Sequence, residues 1–266
     1  MQAAWQTLAE VFSSMCTIAF LVGAHAEAPL VLAANRDELY ERPTRPPERL
    51  GPNLAGGVDV LSGGTWLAVR ADGRFAAVTN QRVLATPPPG LRSRGYAVKE
   101  LALADDPEAY AREIDPTRYA SMNLAWGDAR GVSIAYSRQE GSLEIVRLEP
   151  GVHVLCNDRL DGEVFPRGGR LAHAIAALRG APLAELLDGL GRALGDHQRS
   201  PIEDVPPSPF PRDLAHAMTA TCIHTQHYGT RSATLFAADA TSAIVYRHAD
   251  GPPCTAPFVD RRELLR

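Results

Sequence analysis

Lysine is nearly absent: Lys99 stands alone among 27 basic residues in a chain of 266. The arginines that take its place are scattered, whereas a nucleic-acid-binding domain gathers its charge into a patch. No nucleic-acid partner is therefore expected. Cysteine is scarce as well. The four, at positions 16, 156, 222 and 254, form no C-x-x-C pair and show no paired metal-ligand spacing. That argues against a disulfide framework and makes a reducing, cytoplasmic setting the default. No apolar run reaches the roughly 18 residues that a transmembrane helix needs. The first 26 residues contain no Lys or Arg, and Glu10 stands where a secretory leader carries positive charge. Ala24-His25-Ala26 resembles a cleavage site, but the segment is not read as a signal peptide. Residues 1–14 are read instead as a short extension or a misassigned start, because translation from Met15 would place Cys16 second.

What is present suits a globular domain. Hydrophobic residues make up 45% of the chain and the net charge is −4, which supports a sizeable core without strong self-repulsion. Thr17–Val22 and Leu30–Ala34 read as a hairpin, and the charged, proline-containing stretch from Asn35 to Pro52 as a loop. Trp66–Val69 and Phe75–Thr79 flank the turn signal Asp72-Gly73. Gly95–Ala104 and Pro107–Ile114 have helical spacing, with Asp105 or Asp106 as a cap for the second. Four short strands follow, at Asn123–Trp126, Val132–Tyr136, Leu143–Leu148 and Val152–Leu155. Leu171–Leu178 and Leu183–Leu194 are helical. A proline-rich loop over 201–212 precedes strands at Ser232–Ala237 and Ala243–Arg247. Strands segregated from helices in this order predict a layered α+β fold rather than alternating βαβ units. No internal repeat or change in composition divides residues 15–266, which are read as a single domain.

Several strings carry a resemblance. They are MCTIAF (15–20), AANRDELYERPT (33–44), SGGTWLAV (62–69), AAVTNQR (76–82), SRG (93–95), NLAWGD (123–128), GVHVLCND (151–158) and HYGTRSATL (227–235). On these, in this order, the chain is identified as a member of the NRDE family, the group of the transport and Golgi organisation protein 2. That family resembles the N-terminal nucleophile hydrolases, most closely the choloylglycine hydrolase and penicillin V acylase group. The resemblance implies a four-layer αββα sandwich with Cys16 as nucleophile. The thiolate attacks an amide carbonyl, and the cysteine's own α-amine serves as base.

The chemistry is self-consistent. A thiol titrates near ~8.5 and an α-amine near ~7.7–8.0, so the proton passes between them cheaply, with both groups on one residue. It requires a free amine, hence loss of everything before Cys16. The resemblance places Asp37 beside that amine and thiol. It puts Ala34 where the hydrolases carry a catalytic Arg, so Arg36, two positions on and on the same strand face, is the substitute. Asn80 and Asn157 end predicted strands where the hydrolases place oxyanion donors. Arg231 is expected to lower the thiol pKa and to pair with Asp37. Alone, each has a plainer use: a small buried Cys, turn-forming Asn and Asp, or a structural ion pair.

Gly63-Gly64-Thr65-Trp66 is no phosphate cradle and reads as a tight turn with Trp66 in the core or pocket wall. His224 and His227 lack a companion carboxylate or cysteine pair, so no metal is expected, and His25 and His153 read as ordinary. Two active functions compete. One is an amidohydrolase for a non-peptide C–N bond acting through a Cys16 thioester, with no cofactor required. The other is a heme or lipid/acyl-CoA binding and trafficking protein on the same fold, in which Cys16, His224 or His227 is a possible axial ligand, although no Cys-Pro heme motif is present. A third reading is a scaffold whose site has decayed. The expected partner is a small molecule.

Overall fold

Alternation of buried side chains with period two sets the layers. In β1 (Thr17–Val22) and β2 (Leu30–Leu39), Ile18, Phe20, Val22, Leu30, Leu32 and Ala34 enter one apolar cluster, while Ala19, Leu21, Val31 and Ala33 enter another. A strand that buries both faces lies between two layers. The computed structural model describes residues 16–81, 87–208 and 210–266.

The remaining strands are β3 (Thr44–Gly51), β4 (Leu54–Asp59), β5 (Leu67–Arg70), β6 (Phe75–Asn80), β7 (Met122–Asp128), β8 (Gly131–Ser137) and β9 (Leu143–Arg147), followed by β10 (Gly151–Leu155), β11 (Tyr228–Ala238), β12 (Ala243–Ala249) and β13 (Val259–Asp260). The first sheet has six strands in the order β10-β1-β2-β11-β12-β13, and the second runs β3 to β9 in sequence. Neighbours in both are antiparallel. The two sheets face each other across the cluster that holds Phe20, Leu32, Phe75, Ile134 and Phe236.

Helices close both outer faces. α1 (Arg94–Leu103) and α2 (Pro107–Glu113) cover the seven-stranded sheet; Ala97, Val98, Leu101 and Ala102 pack on Ala68, Leu124 and Trp126. The carboxylate of Asp106 caps α2 by accepting from the Glu108 and Ala109 amides at 3.0 Å. On the six-stranded sheet lie α3 (Pro166–Ala176), α4 (Leu183–Leu194) and α5 (Arg212–Ala217). Leu186, Leu187, Leu190 and Leu194 form the buried stripe of α4. Each such leucine contributes roughly 1.5–3 kcal/mol by leaving water. The architecture is the expected αββα sandwich.

Two local expectations are corrected. The stretch from 35 to 52 is not a loop: β2 continues through Asn35-Arg36-Asp37-Glu38, and Thr44–Gly51 forms β3. These polar residues stay in a strand because they are buried and find partners there. Pro46 and Pro47 are tolerated because β3 is an edge. The strand Leu54–Asp59, rich in glycine, had no alternation to betray it. Residue 86 of the Thr-Pro-Pro-Pro-Gly break at 86–90 lies outside the described residues, as do the extension 1–14 and Met15.

Candidate active site around Cys16

Cys16 immediately precedes β1 and is 5% exposed. Thr17 pairs with Asn35 across the ladder, so one further step sets Cys16 opposite Arg36. Alternation then turns both side chains toward the space between the sheets. There they line a cleft of about 860 Å³ together with Glu38, Arg42, Asp59, Trp66, Asn80 and Arg94.

Arg36 is held in place from two sides. Its guanidinium lies 4.3 Å from the centre of the Trp66 ring and 3.6 Å from Glu38 Oε2. Arg42 extends the network, approaching Glu38 at 3.7 Å and donating to Asp59 Oδ2 at 2.6 Å. Burial pushes the Glu38 carboxyl upward, against the pull of Arg36 and Arg42. Burial likewise lowers Arg36, while Glu38 and Cys16 work to raise it. A second guanidinium, Arg94, also interacts electrostatically with Cys16; burial brings it down to about 10. Both guanidiniums line the cleft that holds Cys16, and a nearby cation is what favours a thiolate over a thiol.

The Gly-Gly turn explains why Arg94 is there. A Cβ on Gly64 would lie 2.6 Å from the backbone of Gly95, and one on Gly95 would lie 2.7 Å from the Thr65 nitrogen. Only glycines permit this approach. It is sealed by the Thr65 amide donating to Gly95 O at 3.2 Å. The turn thereby seats Trp66 in the pocket wall and the start of α1 at the cleft.

Asn80 and Asn157 sit where the two sheets are clasped together. The Asn157 amide donates to Asn80 O at 2.7 Å and the Thr79 hydroxyl to Cys156 O at 2.8 Å. Asn123 donates to Thr79 Oγ1 at 3.0 Å and to Asp158 O at 2.9 Å. Asn80 belongs to the cleft wall, whereas Asn157 reaches behind it.

Asp37 faces the other way. It is completely buried on the helix side of β2, where Thr230 Oγ1 donates to its Oδ1 at 2.6 Å. Desolvation raises its carboxyl to about 7, with Arg167 the strongest opposing influence. The sheet's own backbone therefore lies between this carboxyl and the side chain of Cys16. Asn35, on the same face as Asp37, donates through Nδ2 to Leu194 O and Thr221 O at 2.9 Å each.

Arg231 does not take the part expected of it. It occupies a bulge of β11, and its Nη1 donates to the carbonyls of Leu39, Tyr40 and Arg42 at 2.9, 2.7 and 3.3 Å. It fastens the turn after β2. The arginine beside Asp37 is Arg167, wholly buried, which donates to Met218 O at 2.6 Å and contacts Asn157 Oδ1 at 3.4 Å. Of the six predicted residues, Cys16, Arg36 and Asn80 share the cleft. Asn157 joins its wall by donating to Asn80 O, Asp37 lies on the opposite face within the influence of Arg167, and Arg231 stands apart.

Arg94 and Arg167 were missed. Arg94 lies inside the SRG string, which signalled it without assigning a role; Arg167 sits in Pro-Arg-Gly-Gly-Arg, a run that reads as a solvated loop. A second set of reactive groups was also missed. His197, Cys222, His224 and Cys254 gather outside the cleft with their ligand atoms within 4.8 Å of one another. The premise that His224 has no cysteine pair near it is therefore corrected, since the fold supplies what the spacing hides.

Two facing antiparallel sheets with helices on both outer faces form the αββα sandwich of the N-terminal nucleophile hydrolase fold class. The chain belongs to the Transport and Golgi organisation 2 family, whose profile matches residues 15–248. The Transport and Golgi organization protein 2 homolog of Bos taurus is 29% identical over 251 residues, covering 82% of this chain and 84% of that one. The Homo sapiens homolog is 28% identical over 241 residues, with the same coverage. Among solved structures, a variant of conjugated bile acid hydrolase from Clostridium perfringens superposes with TM-score 0.51 at 9% identity, over 92% of this chain and 96% of that one. The Caenorhabditis elegans N-acylethanolamine-hydrolyzing acid amidase ortholog gives 0.50 at 9%, over 84% and 92%. At such identity the likeness is one of fold. No helix among the described residues is long and apolar enough to cross a membrane.

Proposed function

We propose that this protein is an amidohydrolase for a non-peptide C–N bond, acting by acyl transfer to Cys16. The observation that carries the reading is the cleft itself, which Cys16 lines together with Arg36 and Arg94. With the α-amine freed, the amine takes the thiol proton and Sγ attacks the carbonyl carbon of the substrate. The tetrahedral oxyanion draws on Asn80 and the nearby guanidiniums; one such donor is worth about 3–4 kcal/mol in other enzymes. The α-ammonium then protonates the leaving amine as the C–N bond breaks. Water, deprotonated by the same amine, opens the thioester and regenerates the thiol.

Asp37 enters only from across the backbone, so its part is to set the charge around the strand end rather than to touch the thiol. The two structural neighbours are named for hydrolysing an acylethanolamine and a conjugated bile acid, which supports the reading at the level of fold alone. Apolar Leu39, Leu61, Trp66 and Val78 share the cleft with its arginines. That lining suits an acyl chain ending in a polar head, and equally suits a carrier of acyl lipids. Of the three axial ligands considered for heme, Cys16 is the one that lines the cleft.

Labelling with an electrophilic acyl probe separates these. The expected result is a single adduct on the Cys16 peptide, abolished by Cys16→Ser. No adduct there, while acyl-lipid binding persists in Cys16→Ser, would replace the enzyme by the carrier.

A further inference from the structure

We propose that His197, Cys222, His224 and Cys254 form a tetrahedral zinc site that staples three loops on the side of the molecule behind Asp37. His197 lies just past the end of α4, Cys222 and His224 flank Ile223 on the way into β11, and Cys254 follows β12. Their separations of 25, 2 and 30 residues match no sequence signature for a metal, so only the fold brings them together.

The geometry is that of a ligand polyhedron. A zinc ion with Zn–S near ~2.3 Å and Zn–N near ~2.0–2.1 Å sets its ligand atoms about 3.8 Å apart for S···S and about 3.6 Å for S···N. Here Cys222 Sγ and Cys254 Sγ are 3.7 Å apart. His224 Nε2 lies 3.6 Å from the first sulfur and 3.3 Å from the second. Three of the six edges therefore already have the required length. The three edges to His197 fall within 4.8 Å. The same sulfur separation is far from the ~2.05 Å of a disulfide.

The surroundings prepare the ligands. His197 Nδ1 lies 3.2 Å from the carbonyl oxygen of Cys222. A carbonyl only accepts, so Nδ1 carries the proton and Nε2 presents its lone pair, the usual outer-sphere arrangement of a metal-bound imidazole. The Cys222 amide donates to Asp196 O at 2.8 Å, joining the first two loops. Gly195 allows the third to close on them, since a Cβ there would stand 3.3 Å from Cys254 Cα. Cys222 is buried while His197, His224 and Cys254 are exposed, which leaves a path for the ion.

Two thiolates with two imidazoles select zinc over the harder divalent ions. Four protein ligands leave no open position, so the site is structural. Binding Zn²⁺ displaces one proton from each of the two thiols. The site also abuts the buried carboxyl. Between its two central ligands, the Ile223 amide donates to Thr230 Oγ1 at 2.9 Å, and that hydroxyl donates to Asp37. Nothing in this inference depends on Cys16 being a nucleophile.

The test is metal analysis of protein prepared without a polyhistidine tag or chelator, followed by cobalt substitution of the wild-type chain. The expected results are one zinc per chain, a thiolate-to-cobalt charge-transfer band with tetrahedral ligand-field bands, and loss of both in Cys254→Ser. Cys254 is exposed, so that variant removes a ligand without opening the core; the cobalt spectrum of the wild type needs no variant at all. Substoichiometric zinc together with a cobalt spectrum lacking the thiolate band would overturn the proposal. So would a non-reduced peptide map that joins Cys222 to Cys254, which would make the pair a disulfide.

Discussion

At the scale of single residues, the site is a matter of which face each side chain occupies. Arg36 and Asp37 are neighbours in sequence, yet one meets Cys16 and the other meets Thr230 and Arg167. Asp37 carries a clear pH signature. Its folded-state carboxyl is raised to about 7 by burial, so between its ordinary value near ~3.9 and that point the folded chain holds a proton that the unfolded chain has lost. Stability from this group is therefore lost as pH rises through that window. Relative to Asp37→Asn, the wild type is expected to lose thermal stability steadily from about pH 4 to about pH 7. A gap moving the opposite way would mean that Arg167 keeps the group ionised. Arg36→Met removes a buried cation facing the sulfur and is expected to slow acyl labelling of Cys16 by roughly tenfold or more, with partial rescue by Lys, which restores charge but not the planar stack on Trp66. An unchanged rate would remove Arg36 from the site. Cys16 and Arg36 were legible because short strings carried them. Arg167 was not, since burial of an arginine is decided by what packs around it and leaves no local mark.

At the scale of elements, polar strings proved to be strand. Asn-Arg-Asp-Glu has the composition of a turn, but Asn35, Arg36, Asp37 and Glu38 each find at least one partner, which offsets part of the cost of burying them in a strand. The apolar strands and the longer helices, by contrast, could be read from periodicity alone, because each buries a regular stripe. The Gly-Gly turn is the element on which the cleft depends most. Gly64→Ala drives a methyl to within 2.6 Å of the Gly95 backbone, where nothing flexible can yield. It is expected to cost about 1–3 kcal/mol, the usual range for overpacking, seen as a lower denaturation midpoint, and to slow Cys16 labelling by displacing Arg94. Full stability with unaltered labelling would show that the turn and the start of α1 are not locked together.

At the scale of the whole molecule, the order strands, helices, strands, helices, strands predicted a layered α+β fold and the family resemblance implied the sandwich, and two antiparallel sheets faced by helices are what the chain forms. Which strand joined which sheet was not legible: β10 follows β9 in sequence yet pairs with β1 in the other sheet. That crossover brings Cys156 and Asn157 to the end of β6, and so builds the clasp at Asn80 in the cleft wall. The Cys/His quartet escaped for the same reason, its members coming from loops that only the folded layers bring into register.

The proposed chemistry requires Cys16 to carry a free α-amine in this cleft. The direct measurement is the mass and sequence of the N-terminal peptide of the mature protein taken from the cells that make it. The account predicts a chain that begins at Cys16 with its amine unmodified. Retention of residues before Cys16, or a blocked amine, in fully functional protein would contradict it.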